Sequence, residues 1–202
     1  MKNLSKAALL MLCAAPVSAG GLDVPVEPPI VKLPPAPPPV VLDWTGFYAG
    51  AQLDSAIGGD LTDVGDIDAT LYGVFGGYRK DLGSFVLGAE VDYMLGSGEI
   101  NAAQAPIDFD VDSLLRVGVE AGFDAGNTLI YGTVGYADLN LSVGGADQDG
   151  DGVFYGLGVD YRVSDRVIIG GELLQHDFND FNGAAGNDLD ILTIGVNVGI
   201  QF

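Results

Sequence analysis

The residues able to do chemistry are few and mostly acidic. Asp147-Gln148-Asp149-Gly150-Asp151-Gly152 sets carboxylates at alternate positions and glycine in sixth place, the first half of a calcium loop. The twelfth position, where such a loop needs Glu, is Gly158. Two readings stand: divalent cations held weakly by Asp147, Asp149 and Asp151, or a solvated acidic hairpin loop. His176 is the single histidine; Asp177 follows it and no serine lies nearby in sequence. A hydrolytic constellation needs a histidine paired with a nucleophile, so no catalytic residue is assigned and no enzyme activity is expected. His176 is expected at the rim of its strand.

A second set sits in mid-segment. Glu90, Asp92, Arg116, Glu120 and Glu172 share the face of their segments that carries the glycines. Arg116 has the parity of Glu120, and Glu90 and Asp92 belong on the adjacent strand at similar height. One guanidinium with five donors can serve two carboxylates. The five are therefore expected either to fill a narrow tube as an ion network or to line a cation-selective pore. Side chains fill the interior of an eight-stranded barrel, which favours the network.

The elements that must position them are strands. In the last segment, Leu189 to Phe202, every second residue is large and apolar: Leu192, Ile194, Val196, Val198, Ile200 and Phe202. Thr193, Gly195, Asn197, Gly199 and Gln201 lie between. A period of two points successive side chains to opposite faces, and the run has the ~9–11 residues a tilted strand needs to cross a bilayer core. The same text recurs from Asp43 onward, in segments near 44–54, 70–80, 84–95, 109–123, 128–143, 153–162 and 166–176. Phe47, Ala49, Ala51 and Leu53 line one face of the first, and Tyr72, Val74 and Tyr78 one face of the second. Val111, Leu115, Val117, Val119 and Ala121 line that of the fourth.

Connectors alternate between short turns, at 80–83, 124–127 and 163–165, and long acidic loops, at 55–69, 96–108, 144–152 and 177–188. That rhythm predicts an all-β fold, an eight-stranded antiparallel up-and-down transmembrane barrel with both termini on the periplasmic side. A soluble sandwich would cover its second face with Lys, Glu and Thr; here that face is glycine and isolated carboxylates.

Composition agrees. Twenty-eight acids against 8 bases give a net charge of −20, which excludes nucleic acid as a partner because phosphate binding needs clustered Lys and Arg. Residues 1–19 read as a secretory signal peptide: Lys2 and Lys6, an apolar core, then Val17-Ser18-Ala19. Cys13, the only cysteine, falls inside that core behind Leu12, where lipid attachment requires a small residue. Residues 20–42 hold eight of the 10 prolines. They lack donors for a sheet and read as an extended periplasmic spacer or docking segment.

The chain also carries a resemblance. D-W-T-G-F-Y-A-G at 43–50, V-L-G-A-E at 86–90, L-R-V-G at 115–118, I-Y-G-T-V-G-Y at 130–136 and the terminal G-I-Q-F resemble the opacity-like surface antigens of alphaproteobacteria, within the broader OmpA/OmpX-like barrels. The resemblance spans 43–202 and implies an outer-membrane surface protein. It transfers no single activity and no cofactor. It implies that Val198, Ile200 and Phe202 form the signal read by the barrel-assembly machinery. Outer-membrane lipid and lipopolysaccharide are the expected surroundings, with divalent cations bridging the acidic loops.

Overall fold

Alternating apolar residues commit each segment to a strand whose two faces meet different surroundings. The computed structural model describes residues 43–61, 65–101, 106–179 and 188–202. The expected signal peptide, Cys13 and the proline-rich stretch lie outside the described residues, as do Asp63 and Asp180 of the expected acidic connectors. Eight strands follow in order: β1 (Gly46–Leu61), β2 (Gly65–Asp81), β3 (Phe85–Asn101), β4 (Ile107–Asp124), β5 (Thr128–Val143), β6 (Ala146–Arg162), β7 (Val167–Phe178) and β8 (Leu189–Gln201). Each pairs antiparallel with the next, and β1 closes on β8 from Tyr48↔Gln201 to Leu61↔Leu189. The result is the closed eight-stranded up-and-down barrel that the alternation predicts.

The outer face is divided in two. Toward the short turns it is apolar: Val153, Tyr155, Leu157, Val159 and Tyr161 on β6, and Ile194, Val196, Val198 and Ile200 on β8, are all exposed. Farther along the same faces come Asp147, Asp149 and Asp151 on β6, Asp110 and Asp112 on β4 and Asp190 on β8. Outward charge is disfavoured in lipid, so the carboxylates mark where the lipid stops. Tyr72, Tyr93, Tyr136 and Tyr155 ring that boundary, and Phe47, Tyr78, Phe85, Phe123 and Tyr161 ring the other. These are the two aromatic girdles of a membrane barrel.

Beyond the girdle the barrel continues, and here the structure corrects the sequence reading. β6 begins at Ala146, so Asp147, Asp149 and Asp151 are strand residues paired with Ser142, Asn140 and Asp138. The expected loop from 144 to 152 is a two-residue turn, Gly144-Gly145, with both φ positive at 60° and 83°, as tight hairpins require. β1 and β2 likewise stay paired out to Leu61↔Gly65, and β3 and β4 out to Ile100↔Ile107.

Val111 is a second correction. It was expected outside, but it is buried inside with Phe109, while Asp110 and Asp112 face out. A bulge between Val111 and Ser113 in the β4–β5 ladder supplies the cause. One extra residue turns every side chain beyond it to the opposite face.

The lumen is filled in layers. Trp44, Val86, Leu129 and Ile168 pack at the turn end. A charged layer follows. Above it lies a second apolar cluster with Met94, Leu114, Phe154, Leu174 and Phe178 at its heart.

Candidate functional site

Two arginines organise the charged layer. On β4, Arg116 Nη2 lies 3.2 Å from Asp92 Oδ1, its register partner on β3, and Nη1 lies 3.4 Å from Asp54 Oδ2 on β1. Its guanidinium stands 5.7 Å from the centre of the Phe154 ring. On β2, Arg79 donates to both oxygens of Glu120, Nε to Oε2 at 2.8 Å and Nη2 to Oε1 at 3.3 Å. Its Nη1 donates to Asp160 Oδ2 on β6 at 2.5 Å. The Tyr48 ring lies 4.3 Å from the same guanidinium, and its hydroxyl donates to Glu120 Oε1 at 2.9 Å. Tyr131 donates to Glu172 Oε1 at 2.8 Å. No residue of the four ion pairs is more than 4% exposed.

The five residues singled out in the sequence are thus divided between the clusters. Arg116 and Asp92 share one; Glu120 belongs to the other. Glu172 meets Tyr131, and Glu90 lines a small polar gap beside Tyr48, Gln52 and Arg79. Arg116 therefore does not serve Glu120, as its parity had suggested: its second carboxylate is Asp54.

Arg79, Asp54 and Asp160 escaped the sequence reading. Arg79 falls at the end of the segment read as 70–80, beside a short turn, and was not singled out, yet it is 2% exposed inside the lumen. The signal was present, since Tyr78 faces lipid and the next residue must face in. Arg162, the last residue of the segment read as 153–162, points inward too. It donates to Gln201 Oε1 at 2.8 Å and to the Asp43 carbonyl at 3.0 Å, with its guanidinium 4.4 Å from the Trp44 ring. Asp43 itself precedes the membrane-spanning strands, and hydrogen bonds from Thr45 hold its carboxyl below the usual range.

His176 is not at a rim. It is 2% exposed and stacked between Phe154 and Phe178, at centroid distances of 5.9 and 6.3 Å. Asp147, Asp149 and Asp151 stand on alternate positions of an extended strand instead of wrapping one point. Among the described residues no group of three or more His, Cys, Asp or Glu is placed to hold a metal ion.

The arrangement is a set of cross-braces. Arg79 ties β2 to β4 and β6, and Arg116 ties β4 to β1 and β3, so both span strands that are not neighbours. The gap beside Arg79 is about 10 Å³, the space of a single water. The paired charges tie the walls of the barrel together across its interior.

A closed eight-stranded barrel with an apolar outer band, two aromatic girdles and a braced lumen is an integral membrane barrel of the outer-membrane class. Residues 6–202 match the outer membrane protein beta-barrel domain family, and the chain belongs to it. It is an integral outer-membrane protein.

Among solved structures, Neisserial surface protein A is similar at 20% identity, covering 78% of this chain and 98% of that one, with a TM-score of 0.54. OprG of Pseudomonas aeruginosa is similar at 12% identity, covering 79% and 97%, with a TM-score of 0.53. Ail, the attachment invasion locus protein of Yersinia pestis, solved with the heparin analogue sucrose octasulfate, is similar at 15% identity, covering 78% and 97%, with a TM-score of 0.50. At these identities the likeness is one of fold. No curated protein matches the chain.

Proposed function

We propose that this protein is a non-enzymatic, opacity-like surface barrel whose distal end, opposite the short turns, faces outward and whose lumen is closed to ions. The observation that carries the reading is the pair of arginine braces, with a water-sized gap beside Arg79. Closure leaves the outer surface as the working part, in a structural or cell-surface interaction role. The acidic distal rim would meet anionic lipopolysaccharide through bridging divalent cations, because like charges otherwise repel. A sulfated polyanion like the one bound by Ail would meet a surface of the same sign, so polyanions are not the expected ligands here.

Asp54, Glu90, Asp92, Glu120, Asp160 and Glu172 outnumber the two bracing arginines, and this excess of negative charge favours the alternative, a narrow cation-preferring channel. Steady conductance would decide for that alternative.

Orientation and surface exposure are tested with single cysteines at Ala146, in the distal hairpin, and at Ser84, in a short turn. In intact cells an impermeant maleimide should label the first and spare the second. The reverse pattern would overturn the orientation, and deletion of distal segments one at a time in a pull-down would locate the contact surface.

A further inference from the structure

The second apolar layer is not solid. Above Arg116 it encloses a cavity of about 60 Å³, walled by Leu71, Phe109, Leu114, Leu139, Leu141 and Phe178 and floored by His176 and Thr193. A single water needs about 10–15 Å³ on this scale and two to four polar partners. The cavity has room for several waters but offers them almost no partners, since among the described residues Gln148, His176 and Thr193 are its only polar lining ones. Space of this kind stays dry and takes apolar guests.

His176 supplies the second observation. It is 98% buried, and neither ring nitrogen forms a hydrogen bond, although the main chain of Ile191 lies beside the ring. A neutral imidazole presents one donor and one acceptor, and leaving both unmade in an apolar setting is disfavoured. A void and an unsatisfied polar ring in one chamber are two separate costs, and one guest would remove both.

The chamber is also reachable. Ala69, Ile100, Val143 and Ile191 belong to its lining and are only half-buried. Thr193 and Leu189, both lining it from β8, are four residues apart, about 13 Å of wall at roughly 3.3 Å per residue. Among the described residues no charged one lines the cavity, so a charged head would be buried unpaired.

We infer that this chamber is a binding site for a neutral single-chain amphiphile, with its alkyl chain along the leucine-lined wall and a hydroxyl head hydrogen-bonded to His176. Such a guest could derive from lipid or be taken up from outside, and the shared chemistry is a short alkyl chain with one neutral hydroxyl. The inference goes beyond the closed-lumen reading and does not depend on it, because the chamber lies above the braces.

The chain has one histidine, so its ring nitrogens are an isolated reporter. Full-length barrel labelled with ¹⁵N-histidine, in lipid nanodiscs free of detergent, is titrated with octan-1-ol. The expected result is a saturable shift, with the acceptor nitrogen moving upfield as it takes a new hydrogen bond. Ala69→Phe, which narrows the chamber from β2, should weaken half-saturation about tenfold, equivalent to ~1.4 kcal/mol. Val143→Phe narrows it from β5 and serves the same purpose if the first variant does not fold. Acyl-chain-deuterated lipid distinguishes the sources: proton magnetisation transfer from bilayer chains to the His176 ring before any octanol is added, lost when the chains are deuterated, shows a lipid-derived guest, and its absence with saturable octanol binding shows an external one. A shift that rises linearly and equally in wild type and both variants means bulk perturbation of the bilayer, and it overturns the proposal, as does no shift without lipid-chain transfer to the ring.

Discussion

Arg79 on β2 holds Glu120 on β4 at 2.8 Å through the interior of the barrel, passing over β3. The same guanidinium reaches Asp160 on β6, so one side chain fixes the spacing of three alternate strands. Breaking such a buried arrangement from one side leaves carboxylates without their counter-charge, which costs about 3–5 kcal/mol. Arg79→Ala should lose that much in urea unfolding of the lipid-reconstituted barrel, followed by heat-modifiable migration. Glu120→Gln in the Arg79→Ala background should recover part of it. Wild-type stability in the single variant would mean that the interior is wet.

Arg116→Ala should show a loss of similar size, with a different rescue. Asp92 and Asp54 are its partners, at 3.2 and 3.4 Å, so Asp92→Asn should restore stability in that background. Glu90→Gln should not, because Glu90 lines the gap beside Arg79. Equal rescue by both would show that only the total charge of the lumen matters and that the two clusters are not separate.

Inward glycines make room for the rings that surround the guanidinia. A Cβ on Gly158 would stand 2.3 Å from Tyr131 Cζ, and one on Gly77 would stand 2.5 Å from the Tyr48 hydroxyl. Gly158→Val should therefore push Tyr131 off Glu172 and destabilise by about 1–3 kcal/mol, the usual cost of overpacking. Gly126→Ala tests a different cause, since its Cβ would meet nothing within 4 Å but its φ is +80°. If Gly158→Val unfolds at the wild-type urea concentration, the rings are not packed against the wall as described.

How much of this was legible in the sequence depends on what each residue had to signal. The lipid face was readable because alternation is local: Phe47, Leu53, Tyr72 and Ile200 declare their side of the sheet two residues at a time. The distal extension was not, because Asp147, Asp149 and Asp151 are poor strand formers and their pairing depends on Ser142, Asn140 and Asp138 across a two-glycine turn. Val111 was misread because a bulge leaves no mark in the pattern of apolar residues. Arg116 and Asp92 could be matched as neighbours on adjacent strands. Arg79 could not be matched to Asp160, since that contact forms only when the sheet closes into a tube.

The extension of β6 makes a prediction about proteolysis. Acidic loops bridged by cations would become sensitive on chelation, but a paired strand from Ala146 to Gly152 should resist protease in outer-membrane vesicles with or without chelator. Cleavage between those residues after chelation would show that the distal ladder is not formed in the membrane.

The closed lumen is tested most directly by the conductance of purified, lipid-reconstituted protein in planar bilayers, recorded for wild type and for Arg79→Ala/Arg116→Ala side by side. The paired braces predict no steady unit openings in the wild type. They also predict cation-selective openings in the double variant, whose lumen keeps six carboxylates and loses both bracing guanidinia. Steady cation-selective openings in the wild-type protein would contradict the closed lumen and make this barrel a channel.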